Sequence, residues 1–159
     1  MAADGPHDPY DLEMSLGFLV YKAHQRSCGE FRRLLEPVGL TPPQYGVLAL
    51  LYQQDGQSQA TLCERGAADP NTMVGIVDRL ETAGMVRRGH DPRDRRAHLV
   101  RITADGRRAF EQCIPLQQQA NAQCWAALSA SEQDRLRTLL RKGLRSWRMI
   151  PSREQRVHE

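Results

Sequence analysis

The fold is decided by residues 69–106, which read DPNTMVGIVDRLETAGMVRRGHDPRDRRAHLVRITADG. The Asp69 side chain can cap a helix and Pro70 fits the first helical position, so a helix is predicted to begin here. Gly84 supplies the left-handed residue that commonly ends a helix. Between these signals, apolar residues recur at helical spacing and form one inward stripe. They are Met73, Ile76, Val77 and Leu80.

Two strand-like segments follow this helix. MVRR (85–88) and HLVRIT (98–103) flank the polar loop GHDPRDRRA, which has the turn residues of a hairpin. Ahead of the helix, Ser58 can cap a shorter helix, QATLCER, that Gly66 closes. Two helices joined by a few residues and followed by a hairpin predict a helix-turn-helix with a two-stranded β wing.

Helices are also predicted on both sides of this unit. In GLTPPQYGVLALL, Thr41 can cap a helix and Gln44 can complete a capping box. Leucines at helical spacing predict another helix over about 11–36, and Thr103 can cap a long helix that Pro115 is expected to kink. Ser129 or Ser131 opens a last helix. The sequence therefore predicts one mainly α domain over residues 1–159.

Charge is concentrated in the predicted hairpin. The chain has a net charge of +3, but residues 85–108 hold eight arginines against three aspartates, a local excess of 8 − 3 = +5. Such concentration is typical of a surface that binds a polyanion. A solvated arginine-rich loop has the same composition, so charge alone leaves both interpretations open.

Several other classes of protein are disfavoured by the sequence. The acidic start does not resemble a secretory signal, and no apolar run approaches the roughly 18 residues of a membrane span. The four cysteines form no CxxC pair, which is typical of reduced thiols in the cytoplasm. Phosphate loops, catalytic-triad spacings and metal-binding motifs are also lacking, so we expect neither an enzyme nor a cofactor or metal site.

The outward face of the 69–84 helix has the residues needed to read DNA. A helix fits the major groove, where base edges offer distinct donors and acceptors. Asn71 and Thr72 could hydrogen-bond bases, and Val74 could contact a thymine methyl group. The predicted DNA-binding residues are Pro70, Asn71, Thr72, Val74, Gly75 and Arg79 on the helix, with Arg93, Arg95 and Arg96 on the wing. Double-stranded DNA is therefore the expected partner.

The quoted stretch resembles the MarR family of regulators, and GLTPPQYGVLALL resembles that family's second helix. The resemblance implies a homodimer whose two recognition helices enter successive major grooves of a palindromic operator. It implies dimerisation helices at 11–36 and 104–149, and a DNA-binding lobe at 41–103. The wing arginines would enter the minor groove or pair with Asp91 and Asp94, and both roles stay open. Gly75 stands where relatives often carry a longer polar side chain.

The resemblance also implies a repressor that a small amphipathic or aromatic ligand releases. Tyr21, His24 and Tyr45 are the candidate pocket, against the alternative of ordinary aromatic packing. The redox-sensing branch of the family places its cysteine at the position of Gly17 here, so we expect each thiol to be buried and inert. The alternative functions are a redox-sensing regulator and a winged-helix module that binds protein rather than DNA.

Overall fold

The computed structural model describes residues 11–66, 68–90 and 98–146. A short 3-10 turn, Leu12–Met14, precedes the first helix. The helices are α1 (Leu16–Leu35), α2 (Pro42–Gln53), α3 (Gln59–Gly66), α4 (Pro70–Thr82), α5 (Ala104–Cys124) and α6 (Ala130–Ser146), and the strands are β1 (Gln57–Ser58), β2 (Val86–His90) and β3 (His98–Ile102). The mainly α winged helix-turn-helix is confirmed.

Local capping explains where most of the helices begin. Thr41 and Gln44 form the predicted capping box of α2, since the Gln44 amide donates to Thr41 Oγ1 and the Thr41 amide to Gln44 Oε1. Thr103 Oγ1 accepts from the Gly106 amide at the start of α5. Ser129 Oγ likewise accepts from the Glu132 amide before α6. Helix α5 continues through Pro115 and ends at Cys124.

The core lies mainly inside the predicted lobe, and α1 and α5 add a few side chains to it. The inward stripe of α4 is buried as predicted, with Met73, Ile76, Val77 and Leu80 all below one-tenth exposure. It packs with buried residues from the other elements, which include Leu35, Leu48, Leu51, Leu62, Val86, Val100 and Phe110. Burial of these apolar side chains fixes the inward side of α4 and leaves its opposite side facing solvent.

The sheet has three antiparallel strands in the order β1-β3-β2. Strand β2 pairs with β3 from Val86↔Ile102 to His90↔His98. The third strand, β1, pairs with the other edge of β3 and was not predicted, because two residues are too short to show an alternating pattern. The two-stranded wing is therefore extended into a sheet that also reaches the start of α3.

A close backbone approach joins the end of the helix-turn-helix to α5. The Thr103 amide donates to the Met85 carbonyl at 3.0 Å, and Thr103 Oγ1 donates to the Gly84 carbonyl at 2.7 Å. A Cβ on Gly106 would lie 2.0 Å from the Met85 carbonyl oxygen. Glycine at 106 is therefore required for this contact.

Apolar side chains near both ends of the described chain are exposed to solvent. The exposed large residues there are Leu12, Met14, Leu16, Leu19, Val20, Leu139 and Leu140. Helix α6 buries no residue against the rest of the chain. None of the described helices is both long and apolar enough to span a membrane.

Candidate nucleic-acid interface

The start of α4 is shaped by its cap. The Thr72 amide donates to Asp69 Oδ1 at 3.0 Å. Hydrogen bonds from Thr72 hold the pKa of the Asp69 carboxyl below its ordinary value. The ionised carboxylate thus stays in place at neutral pH, and the first turn carrying Asn71 is fixed on an exposed surface.

The residues predicted to read DNA lie on the solvent side of α4. Pro70, Asn71, Thr72 and Arg79 are exposed, and Val74 is 43 % exposed although it is apolar. Gly75 is half-buried, and a Cβ built there would meet no heavy atom within 4 Å. The structure therefore brings all six predicted helix residues onto one element, with a single buried stripe behind them.

Helix α3 is held against the end of α2 by a buried glutamine. Gln57 is 4 % exposed, and its Nε2 donates to the carbonyl oxygens of Leu50 and Gln54 at the end of α2. Arg65 Nη1 in turn donates to Gln57 Oε1 at 2.8 Å. An open groove of about 570 Å³ separates α3 from α4, with Cys63 on one wall and Val74 on the other.

An ion-pair cluster that the sequence did not reveal ties α4 to β2. Arg88 Nη2 lies 2.5 Å from Asp78 Oδ1, and Arg88 Nη1 pairs with Glu81 Oε2. The Arg88 amide also donates to Glu81 Oε1 at 2.8 Å. Asp78 is also exposed on α4, but its carboxylate is engaged by Arg88. We call these three residues the Arg88 clamp.

Formation of the clamp shifts the pKa values of Glu81 and Arg88. Hydrogen bonds from the Arg88 amide and guanidinium hold the pKa of Glu81 below its ordinary value. Desolvation lowers the pKa of Arg88, but the two carboxylates together raise it above its ordinary value. Glu81 and Arg88 are therefore both charged at physiological pH. The clamp holds β2, the first strand of the wing, against the recognition helix α4.

The tip of the wing falls outside the described residues. Arg93, Arg95 and Arg96 belong to residues 91–97, as do Asp91 and Asp94, so their predicted roles stay predictions. The structure describes the two wing strands up to this loop, and His90 and His98 lie directly opposite each other as the last pair before it.

The three candidate pocket residues occupy two different environments. Tyr45 packs between Phe31 and Phe110, with ring centroids 4.8 and 5.2 Å away. Tyr21 is 55 % exposed and accepts a hydrogen bond from Gln25 within α1. His24 lies beside Cys28, with its Nε2 3.6 Å from the sulfur. No hydrogen bond or ring contact joins Tyr45 to the other two in this described part of the chain.

The expectation that every thiol is buried was wrong for three of the four. Cys113 is fully buried, and burial raises its pKa. Cys28, Cys63 and Cys124 are each half-buried. Helical spacing identified the apolar side of each helix, but it could not say how deeply a residue at the margin of that side would lie.

Known proteins are similar to this chain in sequence, and solved structures are similar to it in fold. The model of the MarR family matches residues 40–98. The HTH-type transcriptional repressor NicR of Pseudomonas putida is 34 % identical over 134 residues, covering 84 % of this chain and 85 % of NicR. BpsR of Bordetella bronchiseptica, whose DNA binding is regulated by 6-hydroxynicotinic acid, is 32 % identical with a TM-score of 0.79 over 85 % of this chain and 96 % of its own. A mutant of E. coli MarR in complex with operator DNA is 28 % identical with a TM-score of 0.78, over 86 % of this chain and 99 % of its own.

Proposed function

Because the chain belongs to the MarR family, we propose that it is a DNA-binding transcriptional regulator that represses genes from a palindromic operator. The observation that carries this proposal is the exposed face of α4, where Asn71, Thr72 and Val74 point away from a fully buried stripe. Binding rather than catalysis is the proposed activity. We propose that the protein acts in the cytoplasm, where a bacterial regulator encounters the chromosome.

Helix α4 and the wing are assigned different parts of DNA recognition. Small polar groups in the first turn suit base edges in the major groove, with Pro70, Gly75 and Arg79 completing the contact surface. The wing arginines, Arg93, Arg95 and Arg96, suit the negative potential of a narrow minor groove. The Arg88 clamp supports this division because it holds β2 against α4.

The recognition helix is tested by replacing Asn71. Asn71→Ala should weaken operator binding by roughly 5- to 150-fold and relax the preference at one base pair in each half-site. Thr82→Ala is the matched control, since Thr82 is exposed at the far end of the same helix and is not among the proposed DNA contacts. Fluorescence anisotropy with an operator selected from random DNA and with scrambled DNA measures both affinities. Equal losses on both DNAs would mean that Asn71 contacts phosphate only.

The wing is tested by its response to salt. Arg95→Ala should weaken binding to operator and scrambled DNA alike and lower the slope of log affinity against log salt by about one. An unchanged slope would remove Arg95 from the DNA contacts.

A homodimer is proposed from the exposed apolar residues of α1 and α6. Leu16 and Leu19 are 77 % and 50 % exposed in the single chain, and α6 exposes Leu139 and Leu140 as well. Burying such residues against a second copy removes apolar surface from water. We therefore assign dimerisation to 11–36 and 104–149 and DNA binding to 41–103.

The dimer is tested by its mass. Sedimentation should give about twice the chain mass of 18.0 kDa. Leu19→Glu should yield a monomer that loses operator binding, because the half-sites must be held together about one helical turn apart. Val74→Glu is the matched control, since it is an exposed apolar residue on α4 and should leave the mass unchanged. A wild-type monomer at micromolar concentration would refute this assignment.

A small aromatic acid is the proposed effector, bound near Tyr45 between the lobe and the dimerisation helices, with Tyr21 and His24 as further candidates. Burial raises the pKa of Tyr45, so its hydroxyl stays protonated at neutral pH. It makes no hydrogen bond to the part of the chain that the structure describes, and so can donate to a ligand carboxylate. The regulation of BpsR by 6-hydroxynicotinic acid supports this ligand class.

The effector site is tested with 6-hydroxynicotinic acid and a panel of related aromatic acids. The active acid should release operator DNA from the wild type, and Tyr45→Phe should need a higher concentration because the hydroxyl donor is lost. Tyr52→Phe is the control, since Tyr52 also contacts Phe110 but donates to Glu111. Equal behaviour of the two variants would exclude a role for the Tyr45 hydroxyl.

A further inference from the structure

A pair of histidines is the last described pair of the β2–β3 ladder, next to the wing loop. His90 and His98 are directly opposite each other in the antiparallel register. Both are exposed, and their ring centroids are 4.6 Å apart with the ring planes inclined by 40°. Opposite residues of an antiparallel pair project from the same face of the sheet, so both imidazoles can contact one small ligand.

We propose that His90 and His98 form a two-histidine site for a divalent transition-metal ion of the Ni²⁺ or Cu²⁺ class. Neutral imidazole nitrogen is a preferred ligand of both ions. Among the described residues, no third metal-ligating side chain joins the pair. The described part of the chain therefore offers the ion two imidazole ligands.

The ring spacing favours this class of ion. With metal–nitrogen bonds of about 2.1 Å, two imidazoles bound at a right angle have ring centroids about 4.5 Å apart, and at the tetrahedral angle about 5.2 Å apart. The observed 4.6 Å is close to the right-angled value, so little ring movement is needed for that geometry. Right-angled bonds are typical of tetragonal Cu²⁺ and Ni²⁺, whereas structural Zn²⁺ is tetrahedral. Each imidazole has two ring nitrogens, so each ring can offer one of them to the ion.

The surroundings are compatible with an added cation. Arg88 is two residues before His90 on β2 and so lies on the same face of the strand. Its guanidinium is already paired with Asp78 and Glu81, so its charge is largely neutralised. A bound ion would tie β2 to β3 at the end of the ladder next to the wing loop and add positive charge there.

The site is tested by calorimetric titration of the untagged full-length chain with NiCl₂. One Ni²⁺ should bind per chain, and His90→Gln and His98→Gln should each weaken binding roughly tenfold or more, because the second imidazole of a chelate binds intramolecularly. Both positions are exposed, so we expect both variants to fold, and circular dichroism checks this.

His24→Gln is the control, since His24 and Cys28 form another pair of possible ligands on α1. It should leave the Ni²⁺ affinity unchanged. Absence of saturable Ni²⁺ binding, or binding that survives the double replacement of His90 and His98, would overturn the proposal. No DNA is present in this experiment, so its result is independent of the proposed function.

Discussion

The contact between Gly106 and the Met85 carbonyl predicts a large loss of stability from one methyl group. In Gly106→Ala the new Cβ would start 2.0 Å from the Met85 oxygen and 3.1 Å from Ile102 Cγ1. The obstacle is backbone, so either α5 or the turn before β2 must move by about 1 Å, and overpacking of this kind costs about 1–3 kcal/mol or more. Alanine recovers at most about 1 kcal/mol of helix propensity, and less near a helix start. We expect a net loss of about 2 kcal/mol.

Thermal unfolding followed by circular dichroism measures this effect. For a chain of this size, a loss of about 2 kcal/mol lowers Tm by roughly 4–8 °C. Gly46→Ala is the matched control, because Gly46 is inside α2 and an added Cβ meets no heavy atom within 4 Å. It should raise Tm slightly. Both proteins are compared at one concentration, since dimerisation makes Tm concentration-dependent. If Gly106→Ala unfolds at or above the temperature of Gly46→Ala, the argument from this contact is refuted.

Three further predictions concern the Arg88 clamp and the thiols. Arg88→Met should destabilise the protein by about 1 kcal/mol, whereas Arg87→Met, on the exposed side of the same strand, should change the unfolding midpoint in urea very little. Because the pKa of Glu81 is lowered on folding, its contribution is present above its ordinary value of 4.5 and is lost as pH falls through the lower folded pKa. The Tm difference between wild type and Glu81→Gln should therefore shrink in acid, and a difference that grows there would contradict the assignment. Cys113→Ser should cost about 1–3 kcal/mol because it buries a hydroxyl, whereas half-buried Cys124→Ser should cost less in the same urea titration.

The sequence was informative wherever the physical cause is local. Caps at Thr41, Asp69 and Thr103 depend on residues three positions apart, and all three helix starts were predicted correctly. The buried stripe of α4 follows from helical periodicity alone. Exposure of Asn71 then follows because it lies on the opposite side of that helix.

Features that depend on the pairing of distant segments were missed. The Arg88 clamp needs β2 to lie across the end of α4, and a helix pattern contains no information on that placement. His90 and His98 form a pair only through the strand register, so their spacing in the sequence resembled no metal motif. The predicted function of the wing tip depends on where DNA lies, and that of the Tyr45 region depends on where a second chain lies. The sequence of one chain does not give either position.

The central place of β3 in the sheet determines how a signal can reach DNA. One edge of β3 carries β2 of the wing, and its other edge carries β1, whose Ser58 caps α3. Wing and reading helices are thus coupled through a shared strand and cannot shift independently without breaking backbone hydrogen bonds. An effector bound against α1 and α5 would then change the distance and angle between two rigid lobes while leaving each lobe's shape unaltered. DNA would then be released because the two lobes no longer match the spacing of the operator half-sites. An isolated half-site would bind equally well with and without the effector.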